Sequence, residues 1–490
     1  MQLNKKNIIF LSVVAAVYLL VFVYSFQFCY FWDTTQQISK EAFWYYKTNF
    51  SVSLLIHPLP DLDITPTGYH PPLITIVTAV LWKIFGYELW VSHAFAFFWA
   101  VLLIYNSWKI LAFCIPEKWA GCALLIILTE STIITQFAIA SPDFILLTAF
   151  VISLRAIFQH KPLWLAVGLI FLCGVNMRGI FAGVILFVSH FYYDFYVVNG
   201  KKYDLKKGLK LLLPYLPVLL LLVPYFIYYF SRNEWFFADR NGAYYSHYQL
   251  PASAAAIVKH LAALVVRLLE NGRFVIWLSA ACLIFVIVKK KIKLSGEEKM
   301  LGLFFVSITG LYLLFAVITS MPFSSRYFMI HFFVLSLLVF RLATNHLPAV
   351  KRDDKKLNNA FVILLFFTIT GHCWIYPEKI AQCWESTLLH TSYYELRKEC
   401  FDYIDGNQWD YNDLSAGFCL YGNRGYVEMK QEGKTVKAPD LNVKYFIYSN
   451  ISNLEDETAD ELKNADRWRP VKHFKKGCVF ITIYKNNAKD

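Results

Sequence analysis

The sequence predicts a mostly α-helical, polytopic membrane protein that ends in a small extracytoplasmic α/β domain. Three observations carry that expectation. Apolar residues make up 57% of the 490, and mean hydropathy is +0.43, more apolar than a soluble chain of this size. They gather in runs that approach the roughly 20 residues needed to cross a bilayer core. Charge is segregated: residues 1–376 hold 31 Lys/Arg against 17 Asp/Glu, and residues 377–490 hold 16 against 18. The basic balance therefore belongs to the membrane part. Its expected partners are membrane lipids and phosphates, with no nucleic acid.

The first run, Ile8 to Phe28, follows Lys5 and Lys6. It is longer than the apolar core of a signal peptide and no small-x-small site closes it, so it is read as a retained span. Further spans are expected at 88–104, 119–139, 143–158, 163–175, 180–196, 212–230, 274–288, 301–320, 327–340 and 359–376. With a cytoplasmic N-terminus, the inner pieces 1–7, 105–118, 155–162, 197–211, 289–300 and 341–358 total 74 residues and carry 21 Lys/Arg; about 115 outer residues carry 10. This is the positive-inside bias. Eleven spans, within a range of 11–13, place the tail outside. Segment 72–86 is read as a helix on the outer surface, ended by Phe85-Gly86 and anchored by Trp82 and Lys83. Counted as a span, it would put Lys201-Lys202, Lys206-Lys207, Lys289-Lys290-Lys291 and Lys351-Arg352 outside. The linear domains are thus 1–376, including an outer loop 29–87, and 377–490.

In the tail, Thr391 to Ile404 has helical spacing, with Leu396, Cys400 and Tyr403 on one face. Lys444 to Tyr448 and Val479 to Tyr484 read as strands. Cys383, Cys400, Cys419 and Cys478 would meet an oxidising compartment, where disulfides are compatible with the sequence but their pairing is not legible. Cys114, Cys122, Cys173 and Cys282 read as apolar filling.

Chemistry-bearing residues gather at the outer ends of spans. Asp33, in Phe31-Trp32-Asp33-Thr34-Thr35, follows the first span, and a carboxylate there suits a base for surface chemistry. The competing reading is a cap for the helix-like stretch Gln36–Tyr46. Asp143, in Ala140-Ser141-Pro142-Asp143, reads equally well as part of a helix start. Arg326, in Ser324-Ser325-Arg326-Tyr327, and Arg178, in Asn176-Met177-Arg178-Gly179, either snorkel to headgroups or bind phosphate through bidentate guanidinium contacts. His70, in Gly68-Tyr69-His70-Pro71-Pro72-Leu73, does the same when protonated. Arg232, Glu234, Asp239, Arg240 and His247 lie in a Tyr/Trp-rich loop that reads first as an interfacial belt and second as a sugar surface. Lys201 to Lys210 is a topology signal. There is no glycine-rich phosphate loop, so a nucleotide sugar is not the expected direct substrate, and there is no zinc-like Cys/His cluster.

Taken in order, these elements resemble the GT-C class of membrane glycosyltransferases, nearest to the protein O-mannosyltransferase and lipid A aminoarabinose transferase superfamily. Asp33 matches its early acid, Pro71-Pro72-Leu73 and Phe85-Gly86 its loop-closing element and turn, Pro142-Asp143 its second outer loop, and Arg326-Tyr327 the opening of a late span. Two positions depart from the pattern: Thr34 stands where Glu is common, and His70 where a phosphate-approaching Lys is common. The resemblance implies an enzyme that moves a sugar from a polyprenyl-phosphate donor to an acceptor hydroxyl of a lipid, glycan or protein, with inversion. Asp33 and Asp143 would be catalytic, and Arg326, Arg178 and His70 would hold the donor phosphate. No cofactor is implied; a divalent metal is compatible with the wider class, with no metal ligands assigned here. The closing Asn486-Asn487-Ala488-Lys489-Asp490 is no luminal retrieval signal, so a bacterial inner membrane is expected. The rival is a transporter or flippase of a lipid-linked saccharide, for which charged or glycine-broken helices near the bilayer midplane, and repeated halves, would speak. The sequence displays neither. A catalytically inactive scaffold presenting the tail is the third reading.

Overall fold

The computed structural model describes residues 4–50, 70–200, 205–233, 247–347, 354–377, 380–430, 432–452 and 454–489. Gly68, Tyr69, Lys201, Lys202, Glu234, Asp239, Arg240, Lys351 and Arg352 lie outside the described residues, as does the side chain of Arg232. The chain divides into two compact units. The first comprises Met1–Tyr24, Gly68–Ile74 and Ala94–Gly371, and the second Ser25–Thr67, Thr75–His93 and His372–Asp490. The grouping departs from a linear boundary at 376: most of the outer loop clusters with the tail. Its apolar and aromatic side chains find partners there. Phe31 packs against Tyr393 with ring centroids 5.4 Å apart, and the Tyr87 hydroxyl donates to the Gly425 carbonyl at 2.9 Å.

The first unit is helical. It holds most of α1 (Lys5–Ser25) and α4 (Leu89–Cys114), followed by α5 (Glu117–Leu128), α6 (Ser131–Ala138), α7 (Pro142–Phe158), α8 (Pro162–Val175), α9 (Met177–Tyr192) and α10 (Leu205–Leu212). The unit is completed by α11 (Leu216–Asn233), α12 (Ala254–Leu269), α13 (Phe274–Lys289), α14 (Gly296–Ile318), α15 (Met329–His346) and α16 (Asp354–Thr370). Six described helical segments are long and apolar enough to cross a membrane, or eight if two bent pairs each count as one span. The expected spans at 143–158, 163–175 and 359–376 fall on helices of 17, 14 and 17 residues. At 1.5 Å per residue these are shorter than a hydrocarbon core of about 30 Å.

Position in the unit follows from which faces are apolar. α7 buries every side chain except the partly exposed Arg155, and α15 is buried along most of its length, so these two form the centre. α1 is apolar all round and leaves Leu20 70% exposed, as expected of a helix facing lipid.

The run 119–139, expected as one span, is broken. α5 and α6 meet at a 61° bend, where the Glu130 carboxylate caps α6 by accepting from the Ile133 amide at 3.0 Å. A second bend of 91° separates α12 from α13. Gly272 makes it, at φ +79° and so close to the Phe367 carbonyl that a Cβ would lie 1.9 Å from the oxygen.

The second unit is built on aromatic packing and a small sheet. A π-helical turn, Thr35–Ser39, runs into α2 (Lys40–Lys47), where the sequence suggests a helix. α3 (Leu73–Phe85) appears where segment 72–86 is expected to be helical and stops at Gly86, φ +101°. From Thr75 on it belongs to this unit, with Trp82 set edge-on to Tyr87 at 4.9 Å.

The tail helix α17 (Ser392–Gly406) buries Tyr393, Leu396, Arg397, Cys400, Phe401 and Ile404. Tyr403 is at the edge of that face rather than in it, packing on Trp409 and Phe474. Among the described residues the main sheet has the order β1 (Leu414–Ala416), β4 (Tyr445–Ser449), β6 (Val479–Asn486), β5 (Trp468–Lys476), with β1 parallel to β4 and the rest antiparallel. A two-stranded pair joins β2 (Gly422–Asn423) to β3 (Thr435–Val436).

The sequence signals β4 and β6 but not β5. β5 is the edge strand, with Pro470, Lys472, Lys475 and Lys476 on it and a register shift between Pro470 and Lys472. These features blunt an edge against further pairing, and they erase the alternation that marks a strand. All ten cysteines are free thiols, so the tail carries no disulfide among the described residues.

Candidate functional site

In the first unit, Asp143, Arg178 and Arg326 come together. Pro142 opens α7, and the Ser141 hydroxyl caps it by accepting from the Asp143 amide at 3.1 Å. The capping task thus falls to Ser141, and the Asp143 carboxylate turns to the start of α9. There Oδ1 accepts from Arg178 Nη2 at 2.6 Å and Asn176 Nδ2 at 3.1 Å. Oδ2 lies 3.5 Å from Arg326 Nε, on the turn Ser325–Phe328 ahead of α15. Tyr327 sits under both guanidiniums, 3.9 Å from Arg178 and 5.2 Å from Arg326, and its carbonyl accepts from the Tyr312 hydroxyl at 3.3 Å.

The Asp143 and Arg326 side chains are 2% exposed and that of Arg178 is 15% exposed, so the charges meet in poorly solvated surroundings. One carboxylate between two guanidiniums leaves net positive charge, which suits an oxyanion.

His70 is under the electrostatic influence of all three. Its carbonyl is fixed by the Tyr225 hydroxyl at 2.9 Å. Burial, reinforced by Arg178 and Arg326 and opposed by Asp143, pushes its imidazole down to about 3. His70 is therefore a neutral hydrogen-bonding group at neutral pH.

A second layer of buried charge holds the Arg326 turn, and the sequence reading misses it. Arg273 donates to Glu130 Oε1 at 2.9 Å and to the Ser325 carbonyl at 2.8 Å. The Ser325 hydroxyl donates to Glu270, and Glu270 also pairs with Arg267 at 2.8 Å. Acidic and basic side chains thus stand at both helix breaks, and a glycine makes the second. Glu130, a carboxylate inside the expected span 119–139, is the signal that would have found this network.

Asp33 belongs to the second unit and is half-buried. The residue before it, Trp32, has φ +56°, a left-handed conformation that costs a bulky side chain of order 1–3 kcal/mol and is held only by its surroundings. Thr34 supplies part of that hold: its hydroxyl accepts from the Phe31 amide at 2.9 Å and donates to the Phe31 carbonyl at 2.6 Å. The departure from Glu at this position thus makes Thr34 the residue that closes the turn.

Tail rings supply the rest. Phe31 stacks on His390 at 4.5 Å, and Trp32 meets Phe418 edge-on at 5.0 Å. Cys419 and Tyr421 lie close enough for Asp33 to act on both. Burial, then Glu385, with Asp33 also contributing, pushes the Cys419 thiol well up. Burial, Cys419 and Asp33 raise the Tyr421 phenol. Both stay neutral near the carboxylate; the sequence reading names Cys419 only for a disulfide and does not name Tyr421. Among the described residues, no group of three or more His, Cys, Asp or Glu side chains is arranged to hold a metal ion.

Membrane-length helices and buried ion pairs at span ends together define an integral membrane protein with a small sheet unit at its C-terminal end. Two solved structures share its fold. ArnT from Cupriavidus metallidurans bound to undecaprenyl phosphate aligns over 96% of this chain and 97% of its own, with 13% identity and a TM-score of 0.51. The apo form of the same protein aligns over the same shares with a TM-score of 0.52. No protein-family model matches the sequence, and no curated protein does.

Proposed function

We propose that this protein is a GT-C glycosyltransferase that moves a sugar from a polyprenyl-phosphate donor to an acceptor hydroxyl on the extracytoplasmic face of the membrane, inverting the anomeric centre. The observation that carries the proposal is the Arg178–Asp143–Arg326 cluster over Tyr327. It is a buried, net cationic site at span ends, suited to a lipid phosphate, and the fold is shared with a protein solved bound to undecaprenyl phosphate.

Arg326 and Arg178 bind the phosphate and stabilise the charge that grows on it as it leaves. Asp143 is their positioning residue, since both of its oxygens already face guanidinium. Neutral His70 contributes a hydrogen bond rather than charge. Asp33 is the base. As the acceptor oxygen attacks the anomeric carbon, its proton passes to the Asp33 carboxylate, the carbon–oxygen bond to the phosphate breaks, and the electron pair leaves with the polyprenyl phosphate. Thr34 and the Trp32 turn hold Asp33 in place, and the tail segment at Phe418–Tyr421 shapes the acceptor side.

A lipid-linked-saccharide transporter is the second reading. The observation favouring it is the pair of broken helices with charge at both breaks. The same charges bind the Ser325 carbonyl and hydroxyl, however, which is a fixing role for Arg326 rather than a moving one.

The deciding experiment offers purified protein in detergent a panel of polyprenyl-phosphate sugars and an extract of outer-surface acceptors, and compares wild type with Asp33→Asn. Transfer lost in the variant while donor binding persists supports the enzyme and its base. Transfer undiminished in Asp33→Asn removes Asp33 from the mechanism. Saturable donor binding with no transfer from any donor favours the transporter.

A further inference from the structure

A cavity of about 390 Å³ lies in the first unit among the ends of α7, α8, α9, α10 and α11. It is remote from the arginine cluster within that unit. Asp143 and Ala156 stand at opposite ends of α7, thirteen residues apart, or roughly 20 Å along the helix. Arg178 and His190 likewise stand at the two ends of α9.

The cavity wall is basic and partly built. Lys161, Lys207, Lys210 and His160 line it, and among the described lining residues the opposing charge is Asp194. Asn199 ties the wall together: its amide nitrogen donates to Asp194 Oδ2 at 2.8 Å, and its amide oxygen accepts from Lys207 Nζ at 3.1 Å. Below, Leu165 and Leu211 supply apolar floor, and His190 shares a hydrogen bond with the Tyr215 hydroxyl at 3.0 Å.

Beside the cavity, α10 is strongly amphipathic. Lys206, Lys207 and Lys210 lie on one side, and Leu209 and Leu212 on the other. Leu209, Leu213 and Leu216 are 56%, 58% and 46% exposed. An amphipathic helix with lysines over an apolar face lies in the headgroup region. A basic pocket between spans at that level matches a phospholipid with its headgroup in the cavity and its chains along the leucines.

We infer that this cavity is a binding site for the phosphate headgroup of an anionic phospholipid, on the membrane face opposite the proposed transfer site. Lys207 and Lys210 would then be ligands as well as parts of a topology signal. The inference does not depend on the protein being a transferase.

The test is native mass spectrometry of the full chain in detergent, titrated with short-chain phosphatidylglycerol. Wild type should show one saturable, high-affinity lipid. The triple variant Lys161→Gln, Lys207→Gln, Lys210→Gln should lose roughly a hundredfold in affinity, at about 1 kcal/mol for each lysine near the headgroup. Lys289→Gln, Lys290→Gln, Lys291→Gln, a basic cluster on the same face but outside the cavity, should keep the saturable step. So should the charge-conserving triple with arginine at 161, 207 and 210, which separates lost charge from lost fold.

Equal weakening by the two glutamine triples means diffuse surface attraction and overturns the site, as does the absence of a saturable step in wild type. Displacement of the lipid by inorganic phosphate at matched concentration would assign the cavity to free phosphate and overturn the lipid reading.

Discussion

Asp143 and Asp33 are both carboxylates next to a span end, yet their surroundings are opposite. Asp143 is buried, with Arg178 and Asn176 hydrogen-bonded to Oδ1 and Arg326 3.5 Å from Oδ2. Asp33 is half-buried in a turn held by a strained Trp32, aromatic packing and a threonine, beside a thiol and a phenol that stay neutral. A carboxylate set against two guanidiniums is suited to positioning them. One presented on a turn fixed by packing is suited to meeting an incoming hydroxyl. The comparison divides the chemistry between the two acids: the sequence already suggests Asp33 as the base, and the structure sets Asp143 against two guanidiniums.

The sharpest way to break that division is to exchange the roles. Asp33→Asn should lower transfer roughly 10²–10⁴-fold, the range of a general base, with the melting temperature nearly unchanged. If Asp143→Asn shows that profile instead, the assignments are reversed. Next in size is the structural cost of Asp143→Asn. Removing the carboxylate leaves Arg326 and Arg178 buried without their counter-charge, for which about 3–5 kcal/mol is the usual penalty. A large drop in melting temperature and a weakened donor KM are expected together, and thermal unfolding in detergent measures the first directly.

Arg326→Lys keeps the charge but loses the planar fork and its stacking on Tyr327. Donor binding should weaken by about tenfold while the kcat for bound donor changes less. An unchanged donor KM would remove Arg326 from the phosphate site.

The pH response sharpens the comparison further. His70 is held at about 3 in the fold against about 6.5 in an unfolded chain. Between those values the unfolded state carries more protons, so stability falls as pH drops from 7 toward 4. His70→Gln should reduce this acid sensitivity, and donor binding should show no His70-linked step near 6.5. A step there that vanishes in His70→Gln would restore the imidazolium reading. His390, lowered to about 4 chiefly by burial, adds to the same acid response and serves as an internal control.

The smallest expected effect is at the tail. Tyr421→Phe removes a hydroxyl beside Asp33 and should cost a few-fold in acceptor KM, about the worth of one hydrogen bond, with donor binding untouched.

Much of the architecture was legible before any coordinates. Helix α3 and its Gly86 stop, the helix α17, and strands β4 and β6 follow from apolar period and punctuation, because each buries one regular face. Strand β5 did not, since an edge strand is written with lysine and proline to avoid further partners. The helix over 119–139 was expected whole. Glu130 breaks it because a buried carboxylate caps α6, and hydropathy averaged along a run does not register a cap.

At the site, Asp33, Asp143, Arg178, Arg326 and His70 were each singled out from residue type and position along the chain. That much the sequence determined by itself, since apolar length, turn chemistry and the order of motifs are all local along the chain. The tertiary structure decided which of them meet, that His70 is neutral, that Thr34 closes the Asp33 turn, and that Glu130, Glu270 and Arg273 stand behind Arg326. Those outcomes depend on distance and desolvation between residues far apart in the chain, and neither quantity exists until the helices are packed.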